Sequence, residues 1–295
     1  MEIVFLGTSS MVPTKERNQS AIIVRKNADT LLIDCGEGTQ RQMQHAGISL
    51  AKINHILISH WHGDHVLGLP GLLQSINAIA PSSSVHIYGP KQTKKFIELL
   101  LSTFIFERRI EIEVHEIEKG VFLETDELLC SASLLKHNTT TLGFRIEEKE
   151  KLRVNMKDLM KFKLPGPLIG KISQGKDVRF QGKEFAAKMY TKKVLGKKIA
   201  IISDTLFCKE AVAISKHVDI VISESTYDES LAKKAREHFH LTAAQAALIT
   251  KQAKAKKLIL THFSARYKKT EILELEAKKI FKNTSSAADF LRIEV

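Results

Sequence analysis

Residues 59–65 read Ser-His-Trp-His-Gly-Asp-His and place three imidazoles and one carboxylate side by side. These groups supply the nitrogen and oxygen atoms that zinc binds in catalytic sites. The preceding stretch, Asn54–Ser59, is apolar and rich in β-branched residues, which predicts a buried strand. The polar cluster therefore begins where a strand ends, and in layered α/β folds sites form beyond the carboxyl ends of strands.

The same pattern recurs along the chain, because other apolar stretches are also followed by a histidine or an acidic residue. These residues are His137, Asp204, Glu224 and His262. Since the carboxyl ends of parallel strands meet at one edge of a sheet, we expect these side chains to converge with the cluster at residues 60–65.

The types and spacing of these residues predict two metal sites that share one carboxylate. The first ion takes His60, His62 and His137, and the second takes Asp64, His65 and His262. Asp204 bridges them. Two ions about 3.5–4 Å apart form a hydrolytic site that holds a nucleophilic hydroxide and clamps a phosphate. Zinc binds imidazole and carboxylate ligands of this kind, so we expect two zinc ions per subunit, with Mn²⁺ or Fe²⁺ as alternatives.

The remaining histidines and the cysteines carry no such pattern. We interpret six histidines as structural residues: His45, His55, His86, His115, His217 and His238. The three scattered cysteines argue against a disulfide framework and favour a reducing compartment. No apolar run spans a bilayer and the first residues do not resemble a signal peptide, so we expect a cytoplasmic protein without membrane contact.

Strands alternate with helices along most of the chain, which predicts an α/β sandwich. The predicted strands are Ile3–Leu6, Ala21–Arg25, Thr30–Ile33, Asn54–Ser59, Val85–Tyr88, Glu111–Ile117, Gly143–Glu147, Ile199–Ser203, Asp219–Ser223 and Leu258–Thr261. The predicted helices are Gly38–Ala46, Leu67–Ile79, Thr242–Ala253 and Glu271–Phe281. Thr242 is the expected N-cap of its helix.

One segment carries nearly all of the net charge of +12. Residues 151–198 contain 14 Lys and Arg but only three acidic residues. Such a concentration favours a polyanion-binding element, although a charged segment can also be a solvated surface loop. The segment has no strong apolar stripe, so we interpret it as an insertion that projects from a single domain of residues 1–295, without a core of its own.

These motifs resemble those of a known family. Ser-His-Trp-His-Gly-Asp-His matches the His-x-His-x-Asp-His motif of metallo-β-lactamase-fold hydrolases. Residues 13–18 resemble the Pro-x-Lys-x-Arg-Asn loop of tRNA 3′-processing endonucleases (ribonuclease Z), and Asp34–Met43 resembles a further segment of that family. Lys163–Gly175 is similar to the Gly-Pro-rich base of its exosite arm. The resemblance extends from Glu2 to about Tyr267.

The resemblance implies an αββα sandwich with an inserted basic exosite arm. It also implies the reaction that the protein catalyses. Two metal ions activate a hydroxide that cuts the 3′ trailer from pre-tRNA near the discriminator base. The products are a tRNA with a 3′-OH and a trailer with a 5′-phosphate. Asp64 orients the attacking water and takes its proton, and His240, held by Glu224, protonates the leaving oxygen. The alternatives are that His240 simply precedes the helix capped by Thr242 and that Glu224 is a structural residue.

The resemblance also implies how the substrate is held. The arm clamps the tRNA elbow, reaching across a homodimer to the tRNA on the other subunit. The candidate substrate-binding residues are Lys15, Arg17, Asn18, Gly166, Pro167 and Arg266. Lys15, Arg17 and Arg266 are candidates for phosphate contact, but each could equally be a surface charge. No other protein partner is implied.

Two other functions compete with this interpretation. A small-molecule phosphodiesterase of the same fold would share the metal site but would not need the basic segment. A non-catalytic RNA-binding protein with a degenerate site would usually have lost a ligand, whereas all seven are present here. Both alternatives are therefore less favoured than the endoribonuclease.

Overall fold

A computed structural model describes residues 1–105 and 107–295. The strands in this part of the chain are β1 Glu2–Gly7, β2 Ala21–Lys26, β3 Asp29–Ile33, β4 His55–Leu57, β5 Ser84–Gly89, β6 Glu111–Glu116, β7 Gly120–Glu124, β8 Leu128–Leu135, β9 Thr141–Glu148, β10 Lys151–Val154, β11 Val178–Phe180, β12 Lys183–Phe185, β13 Thr191–Val194, β14 Lys198–Ile202, β15 Ile220–Glu224, β16 Lys257–Thr261, β17 Thr284–Ser286 and β18 Arg292–Glu294.

The helices connect these strands. They are α1 Thr39–His45, α2 Gly63–Val66, α3 Leu69–Ile79, α4 Thr93–Thr103, α5 Met156–Met160, α6 Gly166–Ser173, α7 Ala187–Tyr190, α8 Lys209–Ile214, α9 Ala232–Glu237, α10 Ala243–Gln252 and α11 Glu271–Lys278. Within the described residues, no helix is both long enough and apolar enough to cross a membrane.

The larger of two compact units comprises Met1–Glu147 and Lys198–Val295. It contains two seven-stranded sheets, ordered β18-β1-β2-β3-β4-β5-β6 and β17-β16-β15-β14-β9-β8-β7. Apolar residues of both sheets form the central core. Helices α1, α3 and α4 pack outside the first sheet, and α8, α10 and α11 pack outside the second. These layers confirm the predicted αββα sandwich.

Strand β1 shows how alternation builds these layers. Ile3 and Phe5 belong to the core between the sheets, whereas Val4 and Leu6 contact the outer helical layer. All four are fully buried because successive side chains of a strand point to opposite faces, and both faces are covered here.

Parallel pairing brings several strand ends to the same edge. Strands β3 to β6 pair in parallel in the first sheet, as do β14, β15, β16 and β17 in the second. The segments that follow β14, β15 and β16 therefore leave the second sheet on one side, where the candidate ligands lie.

The smaller unit comprises Glu148–Lys197. It contains two antiparallel hairpins, β10–β13 and β11–β12, and helices α5 to α7. Its buried apolar residues are Leu159, Leu164, Ile172, Val178, Phe185 and Ala187. The expectation that the basic segment lacks its own core is therefore wrong. The apolar residues are spread over short elements, so no single element shows a stripe.

Several elements differ from the predictions. The predicted helix Leu67–Ile79 corresponds to α3, which begins two residues later, and the sequence pattern did not indicate α2, α4, β7, β17 or β18. Short edge strands with polar residues, such as β18, carry little periodicity. Helix α10 follows Thr242 as expected, and Thr242 and Gln245 form a capping box.

Candidate metal and catalytic site

The candidate ligands lie in loops and one short helix beyond the strand ends. His60 and His62 follow β4, and the single-turn helix α2 carries Asp64 and His65. The other three ligands follow strands from the second sheet: His137 after β8, Asp204 after β14 and His262 after β16. Both sheets of the sandwich therefore contribute to the site.

The first group of ligand atoms comprises His60, His62, His137 and Asp204. Nδ1 of His62 lies 3.0 Å from Nε2 of His60 and 3.3 Å from Nε2 of His137. Oδ2 of Asp204 is 3.7 Å from Nε2 of His60. Ligands about 2.0–2.2 Å from one tetrahedral ion are themselves about 3.3–3.6 Å apart. The spacing therefore suits one shared cation.

The second group comprises Asp64, His65 and His262. Oδ2 of Asp64 lies 3.3 Å from Nε2 of His262 and 3.5 Å from Nε2 of His65. Asp204 faces this group as well, with Oδ1 3.3 Å from Nε2 of His262 and Oδ2 3.6 Å from Nε2 of His65. Its contacts with both groups suit a bridging carboxylate.

Unpaired buried atoms show that the site fits cations. Oδ1 of Asp64, Nε2 of His65 and Oδ1 of Asp204 are buried and make no hydrogen bond to any described residue. Leaving such a group unpaired costs about 1–3 kcal/mol. Burial alone would lower the pKa of His65, but Asp34, Asp204 and Asp64 outweigh it and raise that pKa well above its ordinary value. The site therefore stabilises positive charge, and these residues fit divalent ions.

Asp34 orients the ligand His65 through the ring nitrogen that faces away from the site. Asp34 was not among the site residues predicted from the sequence. Nδ1 of His65 lies 2.7 Å from Oδ2 of Asp34, which leaves Nε2 facing the site. Ser59 donates to Asp34 through its backbone nitrogen and its hydroxyl, at 2.7 and 2.8 Å. Asp34 follows β3 directly, so the pattern of strand ends that found Asp204 also applies to it.

Two positions of the site hold an unusual backbone conformation. Asp34 and His262 have φ values of 57° and 58°, in the left-handed region that favours glycine. Strained residues of this kind persist when the surroundings hold them, and they cluster at functional sites. His262 is held by Thr226, whose Oγ1 lies 2.9 Å from Nδ1 of the imidazole.

His240 and Glu224 lie next to the ligand groups. Nδ1 of His240 is 3.3 Å from each carboxylate oxygen of Glu224. Thr205 and Thr226 donate to that carboxylate, at 2.8 and 2.7 Å, and so fix its orientation. Burial opposes protonation of His240, but Glu224 and Asp204 outweigh it and raise the pKa of His240 to about 9. The carboxylates around His240 therefore favour the protonated form of its imidazole.

The predicted substrate-binding residues have different surroundings. Lys15 and Arg266 are exposed, and the guanidinium of Arg266 lies 5.1 Å from the ring centroid of Tyr227. Arg17 is buried, and its Nη2 donates to the carbonyl of Tyr267 at 2.7 Å. Arg17 therefore ties its loop to the segment after His262.

The other predicted substrate-binding residues lie in the loop at residues 13–18 and in the smaller unit. Asn18 donates from its backbone nitrogen to Oδ2 of Asp289 at 2.7 Å, and from its side chain to the carbonyl of Glu37. Gly166 and Pro167 open helix α6. A Cβ added at Gly166 would meet no atom within 4 Å, so nothing in the structure requires glycine there.

Comparisons with known proteins match either the first third of the chain or its full length. A family model described as the anti-Pycsar protein Apyc1 matches residues 1–105. Ribonuclease Z of Crocosphaera subtropica is 37% identical over 310 residues, covering 100% of this chain and 98% of the relative. Ribonuclease Z of Methanothermobacter thermautotrophicus is 37% identical over 301 residues, covering 100% and 97%.

Solved structures share the fold. The short form of human tRNase Z has a TM-score of 0.73 and 26% identity, covering 100% of this chain and 99% of that one. The metallo-β-lactamase-fold protein YhfI of Bacillus subtilis has a TM-score of 0.73 at 17% identity, covering 100% and 98%.

The architecture and its His/Asp groups place the chain in the class of metallo-β-lactamase-fold proteins that use divalent metal ions. Within that class, the identity over the full length decides the family: the chain belongs to the ribonuclease Z family. The resemblance inferred from the motifs at residues 13–18, 34–43 and 59–65 is thereby confirmed.

Proposed function

We propose that this chain is a metal-dependent endoribonuclease that removes the 3′ trailer from pre-tRNA near the discriminator base. The observation that carries this proposal is the convergence of two His/Asp groups on Asp204, with the His240–Glu224 pair beside them. This arrangement places a cation site next to a proton donor, which phosphodiester hydrolysis with a poor leaving group needs. Membership of the ribonuclease Z family supports tRNA as the substrate.

Two bound divalent ions would supply a nucleophile at neutral pH and neutralise charge on the phosphate. Zinc suits the nitrogen and oxygen ligands, with manganese or iron as alternatives. His60, His62 and His137 would hold the first ion, Asp64, His65 and His262 the second, and Asp204 both.

Asp64 positions the attacking water. Its Oδ2 faces His65 and His262, whereas its Oδ1 is buried without a hydrogen-bond partner among the described residues. That free oxygen is the atom that accepts the proton of the water as it attacks phosphorus. Neighbouring imidazoles lower the pKa of Asp64 against the effect of burial, so the carboxylate is ionised before the step.

His240 protonates the leaving 3′ oxygen of the ribose. Its Nδ1 faces Glu224, so its Nε2–H is the group that donates. Glu224 is the positioning residue, because its carboxylate holds the ring and stabilises the imidazolium. The products are a tRNA that ends in a 3′-OH and a trailer that begins with a 5′-phosphate.

The basic unit Glu148–Lys197 acts as the exosite arm. Lys161, Lys163 and Lys183 line one cavity of this unit with aromatic rings, and Nζ of Lys183 lies 4.0 Å from the ring centroid of Phe162. These cations suit the phosphate backbone of a folded RNA, which proteins recognise mainly by shape and charge. Gly166 and Pro167 start helix α6 of the same unit.

A charge reversal with a matched control tests the arm. Lys161→Glu with Lys163→Glu should weaken pre-tRNA binding and lower the salt slope by about 2, because each lost phosphate contact removes about 0.7–0.9 from that slope. The control is Lys216→Glu with Lys254→Glu. Lys163 and Lys254 both have positive φ values, 49° and 52°, so each pair of substitutions includes one position with this backbone conformation. The control pair precedes β15 and β16, away from the strand ends that form the site. Equal effects of both pairs would contradict the role of the arm.

The loop at residues 13–18 presents cations to the substrate. Lys15 and Arg266 contact phosphates directly, whereas Arg17 and Asn18 hold the loop that presents Lys15.

The proposal also covers the assembly and location of the protein. The subunits form a homodimer, which sedimentation velocity tests as a mass of twice 33.1 kDa. All three cysteines are buried and free, which supports a reducing, cytoplasmic location.

Cleavage of an end-labelled pre-tRNA with a 3′ trailer tests the function. Bis(p-nitrophenyl) phosphate serves as the small-molecule comparison, and both assays are run with chelator and with added Zn²⁺ or Mn²⁺. We expect a single cut near the discriminator base that chelator abolishes. Turnover of the small ester alone would instead establish a small-molecule phosphodiesterase, and tRNA binding without any cleavage would establish an RNA-binding protein.

A further inference from the structure

A second histidine–carboxylate group lies on the outermost two strands of the first sheet. His86 is in β5, and Glu113 and His115 are in the edge strand β6. Glu113 pairs in register with His86, and His115 is two positions further along β6, so all three side chains share one face. We call these three residues the edge cluster.

Tyr88 identifies the face on which the edge cluster lies. It pairs in register with His115, stacks on its ring at a centroid distance of 4.6 Å, and belongs to the core between the sheets. The side chains of His86, Glu113 and His115 are 28%, 45% and 39% exposed. The edge cluster therefore sits at the margin of that core, where solvent and ions reach it.

The distances within the edge cluster match those of the two ligand groups at the catalytic site. Nδ1 of His86 lies 3.4 Å from Nε2 of His115, and Oε2 of Glu113 lies 3.5 and 3.8 Å from these two nitrogens. Ligands of one tetrahedral ion at about 2.0–2.2 Å are about 3.3–3.6 Å apart. One cation can therefore reach all three atoms with small side-chain movements.

Among the described residues, the edge cluster has no Lys or Arg partner for its carboxylate. Within that same part of the chain, Glu113 forms ion pairs only with His86 and His115. His55, in the adjacent strand β4, stacks on His86 at a centroid distance of 5.5 Å, and its buried Nδ1 has no hydrogen-bond partner in the part of the chain that is described. Two imidazoles thus face one carboxylate that pairs with no Lys or Arg in the described part of the chain.

We propose that His86, Glu113 and His115 bind one divalent transition-metal ion, with zinc as the best match, separately from the catalytic site. Two imidazole nitrogens and one carboxylate oxygen suit zinc and disfavour magnesium or calcium, which prefer oxygen ligands. Water completes the coordination from the exposed side. Because the ligands come from β5 and β6, the ion links the edge strand to its neighbour.

Metal content per chain tests this proposal independently of the cleavage assay. The full chain is stripped with chelator, dialysed against buffered free Zn²⁺ and assayed for bound metal. His86→Ala with His115→Ala should bind one zinc ion fewer per chain than the parent protein. Glu113→Gln keeps the shape of the side chain and should weaken the same site. The control His45→Ala removes a surface imidazole and should bind as many ions as the parent.

Each result decides the proposal. A difference of one ion between parent and double variant supports it, whether or not the catalytic site is loaded, because the proposal concerns the difference and not the total. Equal metal content in both would overturn it, as would an equal loss in His45→Ala. In crystals grown with zinc, anomalous density between His86, Glu113 and His115 should be present in the parent and absent in Glu113→Gln.

Discussion

The catalytic site and the edge cluster present imidazoles and carboxylates at similar distances but in different surroundings. The catalytic ligands lie in loops and a single-turn helix beyond the strand ends, whereas the edge cluster lies within β5 and β6. At the catalytic site, His65, His137 and His262 each contact a fixed polar group through the nitrogen that faces away from the ligand group. In the described structure, the imidazoles of the edge cluster contact only each other, Glu113 and aromatic rings.

This difference shows that the spacing of the ligands and the outer partners that hold them make separate contributions to metal binding. Outer partners such as Asp34 fix the tautomer and orientation of a ligand, and losing one typically lowers metal affinity 10–100-fold. The catalytic site has such partners and several buried carboxylates, so we expect it to bind ions more tightly than the exposed edge cluster. The proposed reaction further requires an acid and a base, roles that we assign to His240 and Asp64 of the catalytic site.

The largest expected effect comes from removing Asp64, the proposed base of the catalytic site, which has no counterpart role in the edge cluster. Asp64→Ala should lower kcat for pre-tRNA by about 10³-fold, because it removes the proton acceptor and a metal ligand together. Single-turnover cleavage measures this loss, and a binding assay should show tRNA affinity largely unchanged. Glu113→Gln is the matched control and should cleave at the parental rate. A slow Glu113→Gln enzyme would mean that the edge cluster takes part in the reaction.

Glu224→Gln separates proton donation from metal binding. We expect kcat to fall by about 10–100-fold, within the range for general acid catalysis. The carboxylate raises the pKa of His240, so its loss lowers that pKa, and His240 loses its proton at lower pH. The alkaline limb of the kcat profile should therefore move to lower pH while the bound metal stays constant. An unmoved limb would show that His240 is not the acid.

Asp34→Asn makes the catalytic site more like the edge cluster. The expected result is a loss of zinc affinity of about 10–100-fold, because His65 would lose the charged partner that fixes its ring. Competition with a chromogenic chelator measures it. Asp126→Asn, an exposed control, should leave affinity unchanged. If Asp34→Asn binds zinc like the parent, the outer partners of the ligands do not explain a difference in zinc affinity between the two sites.

The smallest expected effect concerns the loop at residues 13–18. Oδ2 of Asp289 accepts the backbone N–H of Asn18, and Oδ1 accepts the hydroxyl of Thr8 at 2.8 Å. Asp289→Asn weakens this contact by about 1 kcal/mol, which should raise KM for pre-tRNA about 5-fold. Turnover of bis(p-nitrophenyl) phosphate should not change, because the small ester does not need the loop. An equal change for both substrates would place Asp289 in the support of the catalytic site itself.

The sequence predicted the sandwich and the gathering of His60, Asp204 and the other strand-end residues, because buried strands have a strong pattern and their ends share one edge. Asp34 also directly follows a buried strand, but it belongs to the segment Asp34–Met43, whose resemblance to a family motif did not indicate a role for this residue. The edge cluster was not predictable, since the proximity of His86 to His115 depends on the register of β5 and β6. The core of the smaller unit was missed because elements such as β11 and β12 are too short to show periodicity.

The contact between Asn18 and Asp289 sets an order for the assembly of the protein during synthesis. The loop at residues 13–18 leaves the ribosome early, but its anchor Asp289 is translated some 270 residues later, and His262 also follows near the end. At about 5–20 residues per second, the interval is about 14–54 seconds. A nascent chain could hold the ligands of residues 60–65 during that time, but it would neither complete the second metal group nor present a fixed substrate loop.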